Sequence, residues 1–264
     1  MTRKKEQKKN WWKIVIETLL LLIWVGSSIL ASQYIIGCII ICIMGGGALD
    51  RPVVTAVFSA LSYLLAMALI ILIPPRIKRM QQKEKNKDKI SKAKLLNRKE
   101  LGLRGLPTWT DIGLAPVGFV VYYFLAAGLT LLFQLLPWFN SGQVQETGFS
   151  PYLVGVERLI AFFTLVIIAP IAEEIIFRGW LYQKIKNRFS MVLKRGVSAV
   201  LSSLLVSLLF GFIHAQWNVG VNVFAMSLVL CGLREITGTI YAGIILHMVK
   251  NGLAFYLLYV VGMG

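Results

Sequence analysis

The chain is poor in charge: only 15% of its 264 residues are Asp, Glu, Lys or Arg, whereas 57% are hydrophobic. Several runs approach twenty apolar residues, more than a water-soluble core needs, which points to a polytopic helical membrane protein. Histidine and cysteine are scarcer still. The two histidines, His214 and His247, form no HExxH pair, and the three cysteines, Cys38, Cys42 and Cys231, make neither an even disulfide framework nor a CxxC. All three thiols lie in apolar stretches and read as small core or lipid-facing residues. No GxSxG element is present, so Ser202, Ser203 and Ser207 read as packing hydroxyls rather than nucleophiles. Neither an internal repeat nor the alternating pattern of an outer-membrane barrel is visible.

What charge there is has one sign and a layout. The formal net charge is +16, concentrated in segments that flank the apolar runs: Arg3, Lys4, Lys5, Lys8 and Lys9, then a stretch containing Arg76, Lys78, Arg79, Lys83, Lys85, Lys87 and Lys89. Positive-inside topology and attraction to anionic headgroups account for this arrangement, and a nucleic-acid partner is not expected. The basic loop reads as a solvated linker lying against the lipid surface. The segment 137–152 has no Lys or Arg and is expected to face outward, while Lys184, Lys186, Arg188, Lys194 and Arg195 return the chain to the cytoplasm.

These signals predict an all-α transmembrane bundle of about 7 spans (6–8), near residues 14–44, 53–73, 114–136, 153–180, 197–214, 219–233 and 239–261. The first is expected to be an uncleaved anchor with a cytoplasmic N-terminus, in a plasma membrane. Three regions are expected: anchoring helices over 1–73, a basic cytoplasmic loop over 74–112, and a functional bundle over 113–264. Trp11, Trp12, Trp109, Trp138 and Trp217 fit interfacial anchors. Arg234 and Glu235 are expected to form a solvated pair in a short cytoplasmic turn.

Within the bundle, polar residues fall in pairs at helical spacing. Glu174 and Arg178 are i,i+4 neighbours able to neutralise each other; Glu173 is rotated by about 100° and left for another partner. Phe210 and His214 share a face, as do His247 and Asn251. Ionisable groups at bilayer depth cost a few kcal/mol unless they face a cavity or a partner, so three such pairs in three apolar helices point to a site.

The ordered set Glu173-Glu174-xxx-Arg178, Phe210-xxx-His214 and His247-xxx-Asn251 resembles the motifs of the CPBP intramembrane proteases (CAAX proteases and bacteriocin-processing proteins, once the Abi family). The resemblance spans about residues 157–256. It implies an intramembrane endopeptidase that needs no cofactor and acts on a membrane-associated peptide or protein, such as a prenylated CAAX-type protein or a peptide precursor. Carried over, Glu173 is the general base, His214 holds the water, and His247 and Asn251 donate to the oxyanion, with Glu174, Arg178 and Phe210 in support. Other readings stay open on the residues alone. They are a zinc protease with Glu173, His214 and His247 as ligands, a membrane scaffold or bacteriocin-immunity-type binding protein, and a proton-coupled carrier.

One geometric difficulty accompanies this expectation. Counted from the predicted cytoplasmic boundaries at about 1.5 Å per residue, Glu173 lies roughly 10 Å deep, His247 roughly 13 Å and His214 roughly 26 Å. The helices must tilt, start at unequal depths or break for the three to meet.

Overall fold

A computed structural model describes residues 2–74 and 98–262, with side chains from Trp11 onward. The basic-loop residues Arg76, Lys78, Arg79, Lys83, Lys85, Lys87 and Lys89 lie outside the described residues. Seven helices are long and apolar enough to cross a membrane, and no strand occurs among the described residues. They are α1 (Thr2–Met44), α2 (Pro52–Leu72), α3 (Trp109–Phe133), α4 (Gly155–Phe189), α5 (Arg195–Phe212), α6 (Trp217–Thr237) and α7 (Tyr241–Val261). Their exposed faces carry large apolar side chains such as Ile23, Leu30, Phe124, Leu131 and Val200, the surface that lipid requires. The chain is therefore a multi-pass membrane protein.

Local chemistry sets the helix boundaries. A 3₁₀ turn over Gly46–Asp50 leads into α2, whose first residue is Pro52, where a missing N–H costs nothing. Thr108 and Asp111 form a reciprocal cap on α3: the Thr108 hydroxyl accepts from the Asp111 N–H, and the Asp111 carboxylate accepts from the Thr108 N–H at 2.9 Å. Chain reversal after α5 uses Ala215 at φ 56°, a left-handed conformation that strains any residue with a Cβ. The core joins α3, α4, α5, α6 and α7 around Phe177, Phe210, Met226, Leu230 and Leu246, with part of α1 and α2 against it.

Close backbone contact requires glycine at two positions. A Cβ on Gly211 in α5 would stand 2.9 Å from the carbonyl oxygen of Gly220 in α6, and one on Gly179 would meet the Leu101 carbonyl oxygen at the same distance. Gly196, near the start of α5, faces open space. Small residues of this kind let membrane helices approach without a hydrophobic driving force. Gly211→Val should cost about 1–3 kcal/mol through overpacking and lower the thermal midpoint of the purified protein, a shift measurable by differential scanning fluorimetry in detergent.

Two expectations change. The fourth span does not end near Trp180 but continues to Phe189, because Tyr182–Phe189 forms a further amphipathic stretch whose cations find partners. Lys186 pairs with Glu235 of α6, and Arg188 bonds Glu17 of α1 at 3.1 Å. At about 1.5 Å per residue, Glu173 is then roughly 24 Å from Phe189, and His214 is roughly 28 Å from Arg195. The mismatch between these two narrows to a few Å, whereas His247 is roughly 9 Å from Tyr241 at the start of α7. Arg234 and Glu235, expected as a solvated pair, instead have separate partners. The buried Arg234 guanidinium donates to the carbonyl oxygens of Gly238 and Glu100, while Glu235 meets Lys186. The turn between α6 and α7 is thus tucked under the segment 100–105, which also accepts from the Ile240 N–H at Gly102 and from the Tyr241 hydroxyl at Gly105. The last span runs through Gly252 without a break and ends in one wide turn.

Candidate active site

Glu173 and Glu174 sit in a six-residue α segment, Ala169–Glu174, between two wide π-type turns at Phe163–Ile168 and Ile175–Leu181. Pro170 supplies no N–H to the preceding turn, and π turns absorb the register change this forces on the helix; such bulges recur where a helix presents functional groups.

The two carboxylates have different fates. Glu174 is fully buried and its Oε1 accepts from Arg178 Nη1 at 2.9 Å, also with a fully buried partner. The same Oε1 lies 3.2 Å from His247 Nδ1. Its other oxygen is 3.0 Å from where a Cβ on Gly243 would stand, so Gly243 makes room for it on α7. The Arg178 guanidinium stacks over Phe210 with 4.5 Å to the ring centroid, a cation–π contact that shields the pair on its apolar side. Glu173, rotated away, keeps some exposure at 14% and takes other partners. Its Oε1 accepts from the Tyr63 hydroxyl at 2.5 Å, and its Oε2 lies 3.7 Å from His247 Nε2.

His247 is therefore clamped between both carboxylates, one at each ring nitrogen. Phe210 packs edge-on against His214 and His247, with centroids 4.9 and 6.0 Å away. His214 Nδ1 is 2.7 Å from the Phe210 carbonyl oxygen. An acceptor-only carbonyl requires the proton on Nδ1, which leaves Nε2 as a hydrogen-bond acceptor. Asn251 donates from Nδ2 to the Leu165 carbonyl oxygen at 2.9 Å. One of its two N–H groups is so spoken for. The fold thus brings Glu173, Glu174, Arg178, Phe210, His214 and His247 into one linked cluster, with Asn251 one turn along α7 from His247.

Tyr63 is the member that motif reading missed. It comes from α2, in the half of the chain without a recognisable motif, and the only signal it offers is a phenol in the middle of an apolar span rather than at its end. Because hydrogen bonds to a charged acceptor are worth about 1.5–3 kcal/mol, Tyr63→Phe should loosen Glu173. Should Glu173 act in catalysis, kcat is expected to fall about tenfold with KM within about twofold, since 1.36 kcal/mol is one decade in rate. Steady-state kinetics of the purified variant measure this.

Among the described residues no three His, Cys, Asp or Glu side chains are grouped to hold an ion. Glu173, His214 and His247 direct their nitrogens and oxygens at one another, at Tyr63 and at a backbone carbonyl instead.

Two cavities adjoin the site, at Tyr63 and at Asn251, and a third shares Lys250 with the second. One of about 250 Å³ is walled by Tyr63, Thr164 and Leu165; one of about 380 Å³ by Leu165, Lys250 and Asn251; one of about 640 Å³ by Tyr122, Asn222 and Lys250. All three touch the loop between α3 and α4 at residues 141–148. That loop is tied to the bundle by Gln216, which donates to the Val144 carbonyl, and by Asn218, which donates to that of Gln143.

Residues 155–253, somewhat over a third of the chain, match the model of a family described as type II CAAX prenyl endopeptidase Rce1-like. The match contains all three motif pairs. No curated protein and no solved structure matches the chain.

Proposed function

We propose, on the premise that through residues 155–253 the chain belongs to the Rce1-like CAAX protease family, that it hydrolyses a peptide bond at membrane depth with a water activated by Glu173. The observation that supports this best is the asymmetry of the two adjacent carboxylates. Glu174 is spent on Arg178 and His247, while Glu173 is partly exposed, held by one phenol, and faces an imidazole.

The reaction proceeds by general-base catalysis. Glu173 takes a proton from water as the oxygen attacks the scissile carbonyl carbon. His214 Nε2, an acceptor, holds the second water proton and fixes the direction of attack. The developing oxyanion receives hydrogen bonds from the second Nδ2 hydrogen of Asn251 and from His247 Nε2. Because His247 Nδ1 lies against Glu174 Oε1, donation from Nε2 to the oxyanion requires a proton on both ring nitrogens at that step. Glu173 then returns its proton to the amide nitrogen, the C–N bond breaks, and an acid and an amine are released. Preorganised donors in a water-poor site are worth about 100- to 1,000-fold each.

The substrate class is a membrane-associated peptide or protein, prenylated near its C-terminus or a peptide precursor, presented beside an anionic lipid surface. Incubation of purified protein with prenylated and non-prenylated peptides, followed by mass spectrometry, should give one internal cleavage. A partner that still binds after substitution of Glu173, His214 and His247, with no peptide product from the wild type, would establish a scaffold instead.

A further inference from the structure

The loop that borders all three cavities is gripped by one side-chain amide. Gln216 Nε2 donates to the Val144 carbonyl oxygen at 3.0 Å, and Gln216 Oε1 accepts from the Glu146 N–H at 2.9 Å. The C=O of one residue and the N–H two residues on are the pair that a single residue of a parallel neighbouring strand would engage. They share an edge because the backbone between them, at Gln145, is extended. Residues 143–147 form neither helix nor turn. The grip is reinforced at both ends: Asn218 donates to the Gln143 carbonyl oxygen at 2.5 Å, and the Thr147 and Tyr259 hydroxyls share a hydrogen bond at 2.5 Å. Gln216 directly follows Ala215, so the left-handed reversal at φ 56° sets the direction from which it reaches the loop.

In an extended chain the N–H and C=O of Gln145 point away from the edge that Gln216 holds. Among the described residues no group bonds either of them. The cavity of about 380 Å³ lies on that open side: Gln145 and Thr147 wall it together with Leu165 and Asn251, whereas Gln216 and Asn218 do not. An acyl chain cannot occupy this edge productively, because it offers no hydrogen-bonding group to backbone N–H and C=O. A strand edge without a partner is instead a template for another extended chain. A volume of about 380 Å³ is within the usual range for a small ligand and holds a few residues.

We infer that the open edge at Gln145 is a docking strand for the substrate backbone. The bound peptide runs extended through the cavity, pairs with the N–H and C=O of Gln145, and so carries its scissile carbonyl to Asn251 and Glu173. The inference deepens the endopeptidase reading and rests on it for the bond that is presented. Gln145 is then a positioning residue that acts through its backbone, and Gln216 is the clamp that keeps this backbone extended. Main-chain pairing of this kind sets register while leaving the substrate side chains to other contacts.

The test uses the full-length protein in nanodiscs and one probe series, an N-acetylated apolar hexapeptide amide and its six single N-methyl analogues, each lacking one backbone donor. Binding is measured at equilibrium to Glu173→Gln, in which turnover is suppressed. Methylation should weaken binding about tenfold at one N–H, or at two that are two residues apart, and less than about twofold elsewhere. Adding Gln145→Pro, which deletes the Gln145 N–H yet suits an extended backbone, should weaken the parent peptide about tenfold and level the scan. Gln145→Ala keeps the backbone and should leave both unchanged. Gln216→Leu, which releases the far edge of the loop, should level the scan to within about threefold. With Glu173 restored, Gln145→Pro should raise KM about tenfold with kcat within about twofold. A scan with no sensitive N–H overturns the inference, and it needs no loop variant, so poor folding of Gln145→Pro does not protect the proposal. Sensitivity that persists in Gln145→Pro and Gln216→Leu, or an equal loss with Gln145→Ala, overturns it as well. Position-sensitive, Gln145-dependent binding with no cleavage of any peptide would sink the endopeptidase reading and leave the docking strand standing; cleavage with a flat scan would do the reverse.

Discussion

Glu173→Gln is expected to lower kcat for peptide cleavage by about 100- to 10,000-fold, the usual contribution of a general base, while the protein inserts and melts as the wild type does. Both halves of this result come from the same geometry. The amide keeps the shape of the carboxylate and can still accept from Tyr63, so packing is retained; it cannot take a proton from water. Glu173 is also the less buried of the two acids, so neutralising it removes no fully desolvated ion pair. Cleavage at the wild-type rate by Glu173→Gln would remove the base from the mechanism.

Arg178→Met is the complementary case, an expected loss of stability. Glu174 and Arg178 are both at 0% exposure, and removing one partner of such a pair strands the other charge at a cost of about 3–5 kcal/mol. The variant should express poorly and show a clearly depressed thermal midpoint. Adding Glu174→Gln should recover part of the loss, because the stranded carboxylate is then gone. Recovery of fold need not recover activity: Glu174 Oε1 also fixes His247 through Nδ1, so the double variant should remain slow. Wild-type melting of the single variant would mean that water reaches Glu174 and that the pair is no buried anchor.

Much of this was legible in the sequence, for identifiable reasons. Apolar run length fixes the seven spans because the bilayer demands about twenty residues per crossing. The i,i+4 spacing predicted Glu174 with Arg178 and left Glu173 for another partner, and the helical rotation does produce that division. What the sequence concealed depended on tertiary structure. Lys184, Lys186 and Arg188 looked like the end of a span, yet the helix continues to Phe189 because Glu235 and Glu17, distant in the chain, receive Lys186 and Arg188. Arg234 looked solvated because the segment that covers it, residues 100–105, precedes it by more than a hundred positions. Tyr63 carries no motif at all; its bond to Glu173 follows only from the packing of α2 against α4.

The central claim is hydrolysis by a carboxylate-activated water without a metal, and one assay bears on it most directly: purified wild-type protein incubated with peptide in excess strong chelator, with products identified by mass spectrometry. The account predicts the same two fragments at the same rate as without chelator. Loss of both fragments in chelator and their return on addition of Zn²⁺ would contradict it.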